Sequence, residues 1–304
     1  MSSSRGLSRT QSRGFISLGL ILLLVIILAA FGGAGWYATR HTSTTYGDFG
    51  APELVTIEGY TGTVQDPWIM SDDQYIIWES RTDVPGAVSD VYYAKKIDYK
   101  TFSLVGKVQG LPSSGVAAAK TDTAGNIYFL SSLYSAQGIT IGHGTFADGA
   151  VTNMAPTIGI SKSWNSNMSA APSRDGKYLV FEDISNVATL AIAKKNADGT
   201  FTRLANSADI MKNITDQFSV AYAPSLSNDN LELFFTAPPS TNKHSMIYVA
   251  RRTSITEPFG VAEAINTFED GLSEAPSLSL DGKHLYFHKV ISVSHADLYV
   301  LSRE

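Results

Sequence analysis

The chain has 304 residues, no cysteine and a formal net charge of −5; 44% of its residues are hydrophobic and 17% charged. Without cysteine there are no disulfides, thiolate metal sites or cysteine nucleophile, and no residue for a lipoprotein anchor. The mild acidity argues against a general nucleic-acid binder, which would carry a basic stripe, and the many Gly and aromatic residues suit an ordered β-rich protein.

In chain order, residues 1–13, MSSSRGLSRTQSR, are polar and carry Arg5, Arg9 and Arg13; they are expected to form a cytoplasmic tail. Residues 14–38 are expected to be a transmembrane signal anchor. From Phe15 to Ala34 twenty residues carry no charge, which at about 1.5 Å rise per residue spans about 30 Å, the thickness of the bilayer core. Trp36 and Tyr37 follow where an interfacial aromatic belt would sit. The arginines on the N-terminal side place the rest of the chain outside the cytoplasm, periplasmic or at the cell surface. A cleaved signal peptide would have an apolar run of about 7–15 residues, and a buried core helix would show an amphipathic face. Residues 39–50, TRHTSTTYGDFG, have no apolar period and read as a flexible linker.

The segment PELVTIEGY (52–60) reads as a strand, with Leu54, Thr56 and Glu58 alternating with Val55 and Ile57. Four similar segments follow: DPWIMSDDQYIIWES (66–80), AAPSRDGKYLVFED (170–183), YAPSLSNDNLELFFT (222–236) and EAPSLSLDGKHLYFH (274–288). Pro172, Pro224 and Pro276 are each 52 apart, and Pro67 precedes Pro172 by 105, about two such steps. A further unit is therefore expected near residue 119, where VAAAKTDTAGNIYFLSS (116–132) has the turn and aromatic strand without the proline. Third strands are expected at 90–96, 138–144, 188–195, 245–252 and 296–303, and a weaker fourth strand in the first four units, for example at 102–108 and 201–206.

The turn residues supply the positive φ that joins antiparallel strands. A four-stranded sheet cannot bury both faces alone, and stacking such sheets radially around an axis does so. The expected fold is all-β: a five-bladed β-propeller over 51–304. The fifth unit lacks a fourth strand. Residues 53–59 are expected to supply it by pairing with 297–302, closing the ring without exposed edges.

The pattern APSLS-x-DG-K-x-LYF…DLYV (275–300), with echoes at 171–181 and 223–249, resembles the WD40-like PD40 repeats of the TolB type. The resemblance implies a periplasmic or cell-surface propeller that binds proteins or glycans, and it carries no catalytic signature. QDPWIMSDDQYIIWES is similar to the opening blade of five-bladed furanosidase-type glycosidases. That resemblance implies a general base at Asp66, the aspartate before proline on the innermost strand. Such enzymes need two more carboxylates at the channel, one a general acid with raised pKa; Asp122, Glu182 and Glu274 are the candidates by blade position. The Gly14–Phe15 junction after a basic leader resembles the start of a type IV prepilin, although Gly19 stands where prepilins carry glutamate. It keeps open a structural part in a cell-envelope assembly.

Other chemistry is sparse. His284 and His288 are four apart, which on a strand separates them by about 13 Å, too far for two ligands of one metal; a surface or packing role is expected. The sequence lacks H-E-x-x-H, G-x-S-x-G and P-loop patterns, and NADGT (196–200) reads as a turn, so neither metal nor cofactor is expected. Trp68 and Trp78 are expected between blades. Trp164, in the polar stretch SKSWNSNMSAAP, and Tyr134, in SLYSAQG, are the candidate ligand-stacking residues. The expected function is that of a membrane-anchored extracytoplasmic module that binds an envelope protein or a glycan without catalysis, with the glycosidase-like reading through Asp66, Glu182 and Glu274 as the alternative.

Overall fold

The computed structural model describes residues 47–80, 89–112, 116–134, 140–160, 169–183, 189–239, 244–265, 267–268 and 272–304. The expected tail, anchor and most of the linker lie outside the described residues. Among those described, no helix is long and apolar enough to cross a membrane.

The repeats fold as five sheets. Two short strands come first, β1 (Glu53–Leu54) and β2 (Thr56–Glu58). Blade one holds β3 (Gln65–Ile69), β4 (Tyr75–Glu79), β5 (Val91–Lys96) and β6 (Thr101–Lys107); blade two holds β7 (Val116–Thr121), β8 (Asn126–Ser131), β9 (Thr140–Ala147) and β10 (Ala150–Pro156). Blade three holds β11 (Ala170–Pro172), β12 (Tyr178–Asp183), β13 (Thr189–Lys195) and β14 (Phe201–Arg203); blade four holds β15 (Tyr222–Leu226), β16 (Glu232–Ala237), β17 (Met246–Arg251) and β18 (Glu263–Ala264). Blade five holds β19 (Leu272–Leu278), β20 (His284–Ser292) and β21 (His295–Ser302), completed by β1. The first strand of each blade touches that of the next, β3, β7, β11, β15, β19 and back to β3, so the ring is closed. The chain is a five-bladed β-propeller.

Each blade is apolar on both faces because it packs on two neighbours. Trp68 and Trp78 are buried between blades, as their setting in strands implies. Two short helices absent from the strand reading, α1 (Ser207–Ile210) and α2 (Lys212–Gln217), follow β14. Their Ile210, Met211 and Ile214, with Phe218, pack on Leu190, Ile192, Phe235 and Tyr248 of blades three and four. The four-residue spacing of Ile210, Ile214 and Phe218 is a helical period that a strand-based reading passes over.

The seam departs from the expected single strand at 53–59. Glu53 and Leu54 pair with Val300 and Tyr299, and the Val55 N–H reaches the Leu298 carbonyl at 2.9 Å, as expected of a fourth strand. The chain then leaves blade five. The Thr56 N–H donates to the Lys100 carbonyl, and Thr56–Glu58 runs parallel to Thr101–Ser103 as a fifth strand on blade one. Ile57 therefore lies beside Phe102 and not beside β21. The physical reason is that one segment must leave the outer edge of blade five and reach the inner strand of blade one. Val55 and Ile57 stay buried along the way, wedged among Phe102, Tyr286, Leu298 and Val300 of both blades. Before the wedge, the Gly47 and Gly50 N–H groups donate to the carbonyls of Glu304 and Ser302, and Phe49 packs edge-on against Phe234.

Candidate functional site

In four blades the innermost strand carries a left-handed residue at the same place: Asp66 (φ 47°), Ala118 (49°), Ala223 (48°) and Ala275 (54°). Each sits at a register shift, Gln65/Trp68, Ala117/Lys120, Tyr222/Ser225 and Glu274/Ser277. Such bulges re-aim the side chains around them. Aspartate tolerates this conformation better than most non-glycine residues, so Asp66 fits a place where the other blades use alanine.

The bulges gather polar groups at the end of the channel where the innermost strands begin. The Asp66 N–H donates to His288 Nδ1 at 3.2 Å. The imidazole proton therefore sits on Nε2, which lies 3.6 Å from Glu274 Oε2. The other oxygen, Oε1, accepts from the Tyr222 phenol, itself hydrogen-bonded to the Ser245 hydroxyl at 2.7 Å. Lys120 crosses the axis from blade two: its Nζ donates to the Pro224 carbonyl of blade four at 2.9 Å and lies 5.2 Å from the Trp68 ring centroid. His288 and Lys120 are buried, whereas Asp66, Tyr222 and Glu274 remain partly exposed and form the accessible face of the cluster.

The electrostatics follow from this layout. Burial pushes the Lys120 ammonium down to about 8, with the nearby charge of Asp66 acting the other way. Burial, and then the charge of Glu274, push the Tyr222 phenol far up, so it stays a proton donor. Burial alone would raise Glu274, but the Nε2–H side of His288 turned toward it and the bond from Tyr222 outweigh it and hold the carboxyl below its ordinary value.

Of the carboxylates named from the sequence, the structure brings Asp66 and Glu274 together. Glu182 lies at the same end on β12 of blade three, buried, its N–H donating to the Ser169 carbonyl. Asp122 closes its own hairpin, accepting from the Ala124 and Asn126 N–H groups and from the Asn126 side-chain amide. Tyr134 is half-buried against the cluster around Phe129 in blade two. Trp164 lies outside the described residues. His284 stacks on Tyr99 at 4.9 Å, and Asp198 caps its own turn through Thr200. Among the described residues no three His, Asp or Glu side chains are grouped to hold a metal ion. Lys120, Tyr222 and His288 are the members that sequence reasoning missed; Lys120 stands where Ser225 and Ser277 follow their prolines in blades four and five, and that departure is the available signal for it.

At the opposite end Arg174 ties three blades together. It reaches from blade three to the carbonyls of Ser71 (3.0 Å) in blade one and Leu278 (2.6 Å) in blade five.

No protein-family model matches the chain, and no curated protein does. Among solved structures it is similar to a family 117 glycoside hydrolase from Zobellia galactanivorans (TM-score 0.57, 10% identity, covering 84% of this chain and 90% of that one). It is also similar to an endo-arabinase from Bacteroides thetaiotaomicron (TM-score 0.53, 15% identity, 83% and 98%). TolB from Acinetobacter baumannii matches with a TM-score of 0.46 at 16% identity over 79% of this chain, which spans 55% of that protein's length. At these identities the likeness is one of fold.

Proposed function

We infer that the propeller is a non-catalytic recognition module that takes a glycan at its channel mouth, held outside the cytoplasm by an anchor at 14–38. The observation that carries this reading is the state of Glu274. A general acid must hold a proton near neutral pH, yet His288 and Tyr222 keep this carboxyl ionised. An ionised carboxylate beside a phenol and a second carboxylate suits hydrogen bonding to sugar hydroxyls. Asp66 is likewise set near a buried cation, Lys120, which suits a fixed acceptor.

The position of Glu182 at the same end favours one competing reading, a hydrolase using Asp66 and Glu182. Two assays on the full chain separate them. On a carbohydrate array, binding should be retained by wild type and lost in Glu274→Gln. Incubation with arabinofuranosides and arabinan should release no sugar. Turnover that disappears in Asp66→Asn would overturn the non-catalytic reading. Membrane fractionation of the full chain and of a variant lacking 14–38 tests the anchor; equal partition of both into the soluble fraction counts against it.

A further inference from the structure

Blades one and two part at the turn end to leave a cavity of about 360 Å³ that the axial site does not use. Its walls are aromatic. Tyr75 and Tyr93 lie 6.2 Å apart at 46° on blade one, and Phe146 of blade two meets Tyr93 at 5.9 Å and 83°. Its rim is acidic: Asp72 and Asp148 sit exposed on two different turns. Asp72 spends one oxygen on the Gln74 N–H at 2.9 Å, and neither aspartate is ion-paired among the described residues. Among the described residues no lysine or arginine lines the cavity.

Two features thus converge from two blades: an aromatic wall and carboxylates at the opening. Aromatic faces carry negative quadrupole potential and attract cations. Carboxylates at the rim add charge-assisted hydrogen bonds. The volume suits a small ligand.

We propose that this inter-blade pocket binds an organic cation, a guanidinium or alkylammonium group of the size carried by an arginine or lysine side chain. The group lies against the aromatic wall that Tyr75, Tyr93 and Phe146 form, with Asp72 and Asp148 flanking its charge.

The test is calorimetric titration of the full chain at low salt with agmatine, acetyl-arginine-amide and the uncharged analogue acetyl-citrulline-amide. A cationic probe should bind with Kd on the order of 0.1–1 mM, and the citrulline analogue at least about ten times more weakly. Asp148→Asn should weaken the cation by about three- to tenfold; asparagine tolerates the left-handed φ of 51° there, so the turn persists. Tighter binding of acetyl-arginine-amide points to a side chain presented by a protein partner, and tighter binding of agmatine to a free amine; both support a cation pocket. Equal affinity for the citrulline analogue, an unchanged Kd in Asp148→Asn, or no binding of either cation overturns it.

Discussion

Removing the Arg303 guanidinium should loosen the closure of the ring more than removing any exposed charge. Arg303 follows the last strand of blade five and its side chain is fully buried. Nη1 donates to Glu232 Oε1 at 3.0 Å and Nη2 to Oε2, so blade five is clamped to blade four. Nε donates to the Gly282 carbonyl at 2.7 Å, and the guanidinium plane lies 4.6 Å from the Phe49 ring, tying in the N-terminal approach. Arg303→Met keeps the stem and deletes the charge. It strands Glu232, whose side chain is 12% exposed, with Arg251 as its remaining partner at 3.0 Å. Breaking one side of a buried pair costs about 3–5 kcal/mol. Because Arg251 offsets part of the loss, the low end applies, about 3 kcal/mol. At roughly 2–4 °C per kcal/mol for a domain of this size, Tm should fall by about 6–12 °C. Scanning calorimetry and urea titration of the full chain measure it. The double variant Arg303→Met/Glu232→Gln, which removes the stranded carboxylate, should recover a good part of the loss. A single variant within about 1 kcal/mol of wild type, or a double no better than the single, would refute the clamp.

Lys120→Met tests the buried ammonium. With its folded value at about 8 against an ordinary 10.5, the unfolded chain holds a proton that the folded chain has released between those pH values, so stability rises with pH across that window. Urea midpoints should show wild type gaining about 3 kcal/mol over Lys120→Met from pH 8 to 10.5; parallel profiles would mean the ammonium is not desolvated. Glu274 is also shifted down, below 4.5, but for a carboxyl that shift favours the folded state, so its contribution is present above pH 4.5 and lost as pH falls through the lower folded value. The stability advantage of wild type over Glu274→Gln should therefore shrink between pH 5 and pH 3, and a constant gap would remove the role given to His288 and Tyr222. Gly159, at φ 94°, would place an added Cβ 1.8 Å from the Phe201 carbonyl oxygen; Gly159→Ala should cost more than about 2 kcal/mol, and a thermal melt unchanged from wild type would contradict that approach of blade three to the crossing chain.

The frame was legible because it is periodic. Proline spacing located five units, and the unit without proline folds alike because Ala118 adopts the same left-handed bulge that Asp66, Ala223 and Ala275 adopt before prolines. The alternation in 52–60 sets Val55 and Ile57 apart from Leu54, Thr56 and Glu58, and those two are the buried ones. It could not name the partner, since a period of two specifies which side is buried and not which strand lies alongside. The change of partner happens between the Val55 and Thr56 N–H groups, where two blade edges compete for one segment. The burial of Lys120 was equally hidden: nothing local distinguishes it from a surface lysine on a strand, and only the ring brings the Pro224 carbonyl and the Trp68 face to it.

The site is written in the departures from the repeat. Where Ser225 and Ser277 follow their prolines, each hydroxyl accepts a neighbouring blade's backbone N–H, from Leu278 and Ile69 respectively; blade two places Lys120 there instead and sends a charge across the axis. Where three bulges hold alanine, blade one holds Asp66. The substitution on β20 is the most informative. The Thr236 hydroxyl in blade four accepts the Ala275 N–H of blade five at 3.1 Å, and His288 occupies the matching register position in blade five and accepts the Asp66 N–H of blade one. A hydroxyl would have sufficed for that staple. The imidazole does the same job with Nδ1 and has Nε2 left over, directed at Glu274. One ring thus joins the inter-blade hydrogen-bond frame to the ionised carboxylate at the mouth, so ligand contacts at Glu274 and the closure of blade five on blade one share a single side chain.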